Sequence, residues 1–183
     1  MAETIPIQIW TGAACQGPPG YGYGGWAWLA IEGAAARGWA GGERHTTAAR
    51  MALTAIIEAL KAAADTPAAP LRLDPGDPAL ARIAADLAAR EAAGWRDEAG
   101  DALQDEDLWR KIAAALKART APVRFATTPP AADARVFIDA WTAFASDIAK
   151  DRGPFAAAIP KTNLQTFLAK RGQAPLPTQR GRA

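Results

Sequence analysis

The chain has 183 residues, half of them apolar, with a formal net charge of +2 and a single cysteine. That length supports one substantial packed unit, and a lone cysteine excludes an internal disulfide or a cysteine-built zinc site. No uncharged apolar run is long enough to cross a bilayer, and "MAETIPIQIW" lacks the basic start and cleavage site of a secretory leader, so a cytoplasmic protein without membrane attachment is expected.

Ile5 to Thr11 alternates apolar and polar side chains. The turn "GPPGYGYG" follows, and "GWAWLAI" and "AAARGWAGGE" continue as two further strands of an antiparallel meander. Cys15, where strand gives way to turn, reads as a small buried side chain. Thr46 and Thr47 precede Met51, Leu53, Ile56, Ile57 and Leu60, whose spacing predicts an amphipathic helix. "TPAAP" ends it, "LRLD" is a short strand, and "PALARIAADLAAREAA" is a helix opened by Pro78. The polar loop "GWRDEAGDALQDED" leads into the helix "LWRKIAAALKAR", with Asp105 to Asp107 as its capping residues. "VRFATT" is the next strand, and "PPAADARVFIDAWTAFASDIAK" is a long final helix in which Trp141, like Trp109 earlier, is expected to pack inward.

The order β-β-β-α-β-α-α-β-α predicts an α/β fold over residues 1–150. Its mixed sheet has five strands, three antiparallel and then two parallel, flanked by helices. Residues 151–183 read as a basic, Pro- and Gly-containing tail, partly disordered, in which "KTNLQTFLAK" can form one short helix. From Lys150 onward there are seven basic residues and one acid, against 14 basic and 18 acidic residues before it. A mildly acidic body is the reverse of one that grips phosphates. Any nucleic-acid contact is therefore expected on the tail, at Lys161, Lys170, Arg171, Arg180 and Arg182.

Several strings, in order, resemble type 1 ribonuclease H from about Ile5 to Asp147. "WTGAACQGPPGYGYGGWAW" is similar to the family's Thr-Asp-Gly strand, its turn and its "GGWG" strand, and "TTAARMALTAIIEAL" is similar to its first helix, which begins "TTNNRMEL". "AGW" at Ala93 to Trp95 and "DLW" at Asp107 to Trp109 resemble its handle region. The resemblance implies the ribonuclease H-like fold and, in an intact member, hydrolysis of the RNA strand of an RNA/DNA hybrid by two Mg²⁺ ions. Two hard dications about 4 Å apart repel unless clustered carboxylates neutralise them.

Carried over one at a time, the four family acids fall on Gly12, Ala52, Asp74 and Asp139, so Asp74 and Asp139 are the remnant candidates for catalysis or metal binding. Among possible substitutes, Glu58 is rotated away from the site face of its helix, Asp77 follows Asp74 in a turn, and Glu43 and His45 end the third strand. None restores the set. Substrate-handling positions change in the same direction: Pro18, Ala48 and Ala49 replace asparagines, Pro75 replaces a serine, and "TTPPAADAR" stands in place of a histidine-bearing loop. The handle is acidic where bacterial members are basic. These replacements point to a ribonuclease H-like pseudoenzyme needing no cofactor, which binds an unidentified protein partner or a hybrid. The alternatives are a ribonuclease using Mg²⁺ or Mn²⁺ with an altered or partner-completed site, and nucleic-acid binding through the basic tail.

Overall fold

Alternating and β-branched residues near the N-terminus form the centre of a sheet rather than its edge. In the computed structural model, which describes residues 5–130 and 132–171, β1 (Ile7–Gln16), β2 (Gly22–Glu32) and β3 (Ala35–Thr46) are the antiparallel meander. β4 (Leu71–Asp74) pairs parallel with β1, placing Asp74 opposite Trp10, and β5 (Val123–Phe125) pairs parallel with β4. The sheet order is β5-β4-β1-β2-β3-β6.

Helices cover both faces because each carries one apolar stripe. α1 (Ala48–Ala62) starts where the Thr47 hydroxyl accepts from the Arg50 backbone N–H, and it buries Met51, Leu53, Ile56, Ile57 and Leu60. These meet Ile7, Ile9, Trp26 and Trp28, together with Trp109 and Ile112 of α4 (Glu106–Lys117). Each such side chain taken out of water contributes roughly 1.5–3 kcal/mol. α5 (Asp133–Arg152) covers the opposite face, where Ile138 and Ala145 meet Trp10, Ala27 and Leu29. Its backbone lies directly on the sheet, since a Cβ at Gly25 would stand 2.2 Å from the Thr142 carbonyl oxygen.

The expected sheet of five strands has six. β6 (Phe155–Ala158) pairs antiparallel with β3, and α6 (Lys161–Lys170) buries Leu164 and Phe167 in the α5-side core with Ile159. The packed unit therefore runs through α6, and the boundary drawn at residue 150 falls inside it. "FAAA" between Pro154 and Pro160 gives little strand signal because alanine has low strand propensity and proline reads as a breaker. Pairing to the exposed side of β3 supplies what propensity does not. Of the cationic tail residues, Lys161, Lys170 and Arg171 are exposed on or beside α6, while Arg180 and Arg182 lie outside the described residues.

Two helices also differ from expectation. The segment begun by Pro78 is split at Asp86 into α2 (Pro78–Ala85) and α3 (Leu87–Ala92). Asp105 stands at the α4 N-cap with φ 57° but makes no side-chain capping bond. It and Asp107 are instead held by Arg50 of α1, at 2.9 and 3.0 Å. Trp109 is buried, as expected, but Trp141 is only partly buried, its ring 5.5 Å from that of exposed Phe144. Among the described residues no helix is long and apolar enough to cross a membrane.

Candidate functional site

The ends of β1, β4, α1 and α5 converge on one cleft, of about 510 Å³, lined by Gly12, Ala52, Arg135 and Asp139 and walled by the turn Pro75–Asp77. Asp74 lies beneath its floor, 2% exposed. The four positions taken from the resemblance are thus brought to one place. Ala52 presents a methyl group beside those of Ala48 and Ala49, and the rim carries Asp77, Thr128 and Pro130.

Asp74 makes four hydrogen bonds. Oδ1 accepts from the Gly76 backbone N–H at 2.7 Å and from Arg135 Nη2 at 2.9 Å. Oδ2 accepts from the Thr128 backbone N–H at 2.7 Å and from the Thr128 hydroxyl. An ionised carboxylate offers about four lone-pair positions, so every one is occupied. Arg135 is held at its two terminal nitrogens: Nη1 donates to the Thr11 carbonyl at 2.7 Å and Nη2 donates also to the Asp74 carbonyl at 3.0 Å, while its buried Nε finds no partner among the described residues. The side chains of this pair are 7% and 4% exposed. Asp139, one helical turn after Arg135, is 61% exposed, and its Oδ1 lies 3.7 Å from Arg135 Nη1.

Gly12 has a steric role here. A Cβ at that position would lie 2.6 Å from Ile138 Cγ2 and 3.3 Å from Thr142 Cγ2. Real contacts are not that short, and Cγ2 of a buried β-branched side chain has little freedom to move. A larger residue at 12 thus requires α5 to retreat from β1.

Neighbouring candidates are engaged elsewhere. Asp77 Oδ1 accepts from the Ala79 N–H as the α2 N-cap, and Glu58 pairs with Lys61 at 2.6 Å. His45, at φ 56°, packs edge-on to Tyr21. Burial raises the Cys15 thiol pKa, and its Sγ lies 3.8 Å from the Thr46 carbonyl. Within the acidic handle, Asp97 accepts from the N–H groups of Ala99 and Asp101, Glu106 pairs with Arg110, and Arg110 stacks 5.0 Å from the Trp95 ring centroid. Hydrogen bonding to Arg50 holds the Asp107 carboxyl below its usual pKa, and the same partners raise that of Arg50.

Arg135 and Thr128 are the site residues that sequence reasoning missed. Arg135 had a signal: it shares an α5 stripe with Ile138, Thr142, Ala145 and Ala149, all buried, and a charge on an apolar stripe calls for a partner. Thr128, in a loop, had none.

No family model matches the chain. Among curated proteins, a "Ribonuclease H" from Alkalilimnicola ehrlichii is 38% identical over 106 residues, covering 58% of this chain and 70% of the relative. The chain belongs to the ribonuclease H family. A "Ribonuclease H" from Polaromonas naphthalenivorans is 37% identical over 110 residues, 60% of this chain and 66% of that protein, so the matched region spans about two thirds of such relatives. Among solved structures, LC9-RNase H1, described as a type 1 RNase H with the type 2 active-site motif, superposes with a TM-score of 0.64 at 18% identity. It covers 91% of this chain and 82% of its own, and it supports the ribonuclease H fold through most of the described residues.

Proposed function

We propose that this ribonuclease H family member does not cleave nucleic acid and serves as a binding or structural module built on the family's scaffold. The observation that carries this reading is the fully occupied Asp74 carboxylate. The residues present do not fit a pair of divalent ions. Gly12 and Ala52 offer no oxygen from their side chains, all four lone-pair positions of Asp74 are taken, and Asp139 is a single exposed carboxylate that faces Arg135 Nη1 at 3.7 Å. Among the described residues no three His, Cys, Asp or Glu side chains gather where they could share an ion. The handle is acidic and its acids answer mostly to the chain's own arginines, which disfavours a phosphate backbone there.

The test is incubation of the purified full chain with a labelled RNA/DNA hybrid in Mg²⁺ and in Mn²⁺, using protein from a host without ribonuclease H background. Intact hybrid is the expected result. Cleavage that disappears in Asp139→Asn would overturn the reading; that residue suits the purpose because its exposure spares the fold. Such a result would favour the second reading, a metal-dependent hybrid ribonuclease with an altered or partner-completed site, which the relatives named ribonuclease H recommend. Nucleic-acid binding through the tail has narrower support, in the three exposed cations of α6 and its end. It requires salt-dependent binding that falls when Lys161, Lys170 and Arg171 are neutralised and residues 172–183 removed.

A further inference from the structure

We infer that the Arg135 guanidinium is the resident cation of this cleft, and that this one side chain keeps the cleft closed to divalent metal. The inference rests on the non-cleaving reading and goes beyond it, because it names what took the place of the ions and what would readmit them.

Shape comes first. A guanidinium is planar, permanently charged and able to donate in a fork. Gly76, at φ +79°, covers one side of the group: a Cβ there would stand 2.8 Å from Nη1 and 3.0 Å from Cζ. A Cβ at Gly12 would approach Nη1 to 3.5 Å. Two glycines thus border the group, and one of them occupies a position where the family resemblance places an acid. Gly12 is accordingly part of the seat of the arginine as well as the loss of a ligand.

Charge comes second. Nη2 binds Asp74, and Nη1 faces Asp139 at 3.7 Å, so the guanidinium stands between the two remnant carboxylates that an ion in this cleft would have to share. A dication approaching Asp74 meets a fixed positive charge beside a buried carboxylate, where water screens it little, and one approaching the exposed Asp139 faces the same charge from the cleft side. Replacing Arg135 with an acid would remove that charge and add a carboxylate to the wall of the cleft that Asp139 also lines. Such an all-oxygen group suits Mn²⁺ or Mg²⁺.

The experiment is a titration of the full-length ¹⁵N-labelled chain with MnCl₂, following paramagnetic broadening of the Gly12, Gly76 and Thr128 amides, with thermal melts in Mn²⁺ and in EDTA. In the native chain these signals should stay sharp at sub-millimolar Mn²⁺, and the melting temperature should be the same in both conditions. Arg135→Asp should lose its signals at that concentration and gain a melting temperature several degrees higher in Mn²⁺ than in EDTA. Arg135→Gln, which removes the charge and keeps a shorter polar side chain, is the second variant and should broaden more than the native chain.

Selective broadening of those amides in the native chain overturns the inference, whether or not either variant folds. Folded variants that bind Mn²⁺ no better than the native chain overturn it equally. Hybrid cleavage by a native chain whose cleft amides stay sharp would defeat the non-cleaving reading alone. Broadening without cleavage would defeat the resident cation alone.

Discussion

Two arginines hold acids at the two places where the family resemblance locates substrate handling, and their surroundings make them different in kind. Arg135 and Asp74, at the cleft, are 7% and 4% exposed and share hydrogen bonds with β1, the Pro75–Asp77 turn and Thr128. Arg50, which joins α1 to the handle, is 39% exposed; of its two partners Asp107 is 56% exposed and Asp105 11%. In the cleft both charges have left water, and each is tolerable only because the other is there. At the handle water still solvates Arg50 and Asp107 and screens their attraction. The same pair of residue types is therefore a structural necessity in one region and a modest tether in the other.

Substitutions should separate the two regions in order of burial. Asp74→Asn or Arg135→Met leaves a buried charge without its counter-ion and should destabilise the fold by about 3–5 kcal/mol, read from urea unfolding. Gly12→Ala should cost about 1–3 kcal/mol, because α5 must move off β1 to admit the methyl group near Ile138 Cγ2. A neutral outcome there would make the glycine a passive loss, with no part in seating α5 or Arg135. Asp107→Ala, which removes only the exposed partner and leaves Arg50 paired with Asp105, should change stability by only about 1 kcal/mol or less.

The handle pair carries a pH signature as well. Hydrogen bonding to Arg50 lowers the Asp107 pKa, so its small stabilising effect is present above the unfolded carboxylate pKa, about 3.9, and is lost as pH falls through the lower folded value. Arg50→Ala should move the Asp107 titration upward, followed by carboxyl ¹³C shifts. An unmoved titration would mean that the ion pair is not formed in solution. The smallest expected effect is that of Asp139→Asn, whose exposed carboxylate makes only a 3.7 Å ion pair, and whose melting temperature should match that of the native chain.

Where side-chain pattern carried the information, the fold was legible. Alternation marked the meander, the spacing from Met51 to Leu60 marked α1, and strings such as "GGWAW" and "ARM" placed them in a known frame. β6 was hidden because backbone pairing to β3, rather than the propensity of three alanines, creates it. In the site, Gly12, Ala52 and Asp74 were legible as positions, since the strings around them fix their places on β1, α1 and β4. What Asp74 does was not. Its role is set by Arg135 and Thr128, which lie 61 and 54 residues away in sequence and are brought to it only by the packing of α5 on the sheet.

Asp74 answers to Arg135, and a double-mutant cycle measures that link directly. Unfolding free energies of the native chain, Asp74→Asn, Arg135→Met and the double variant should show the two changes to be strongly coupled. The double variant should be more stable than the sum of the single losses predicts, by about 2–3 kcal/mol. Additive losses would contradict the account, because they would mean that Asp74 and Arg135 stabilise the fold separately and that the carboxylate is not committed to the arginine.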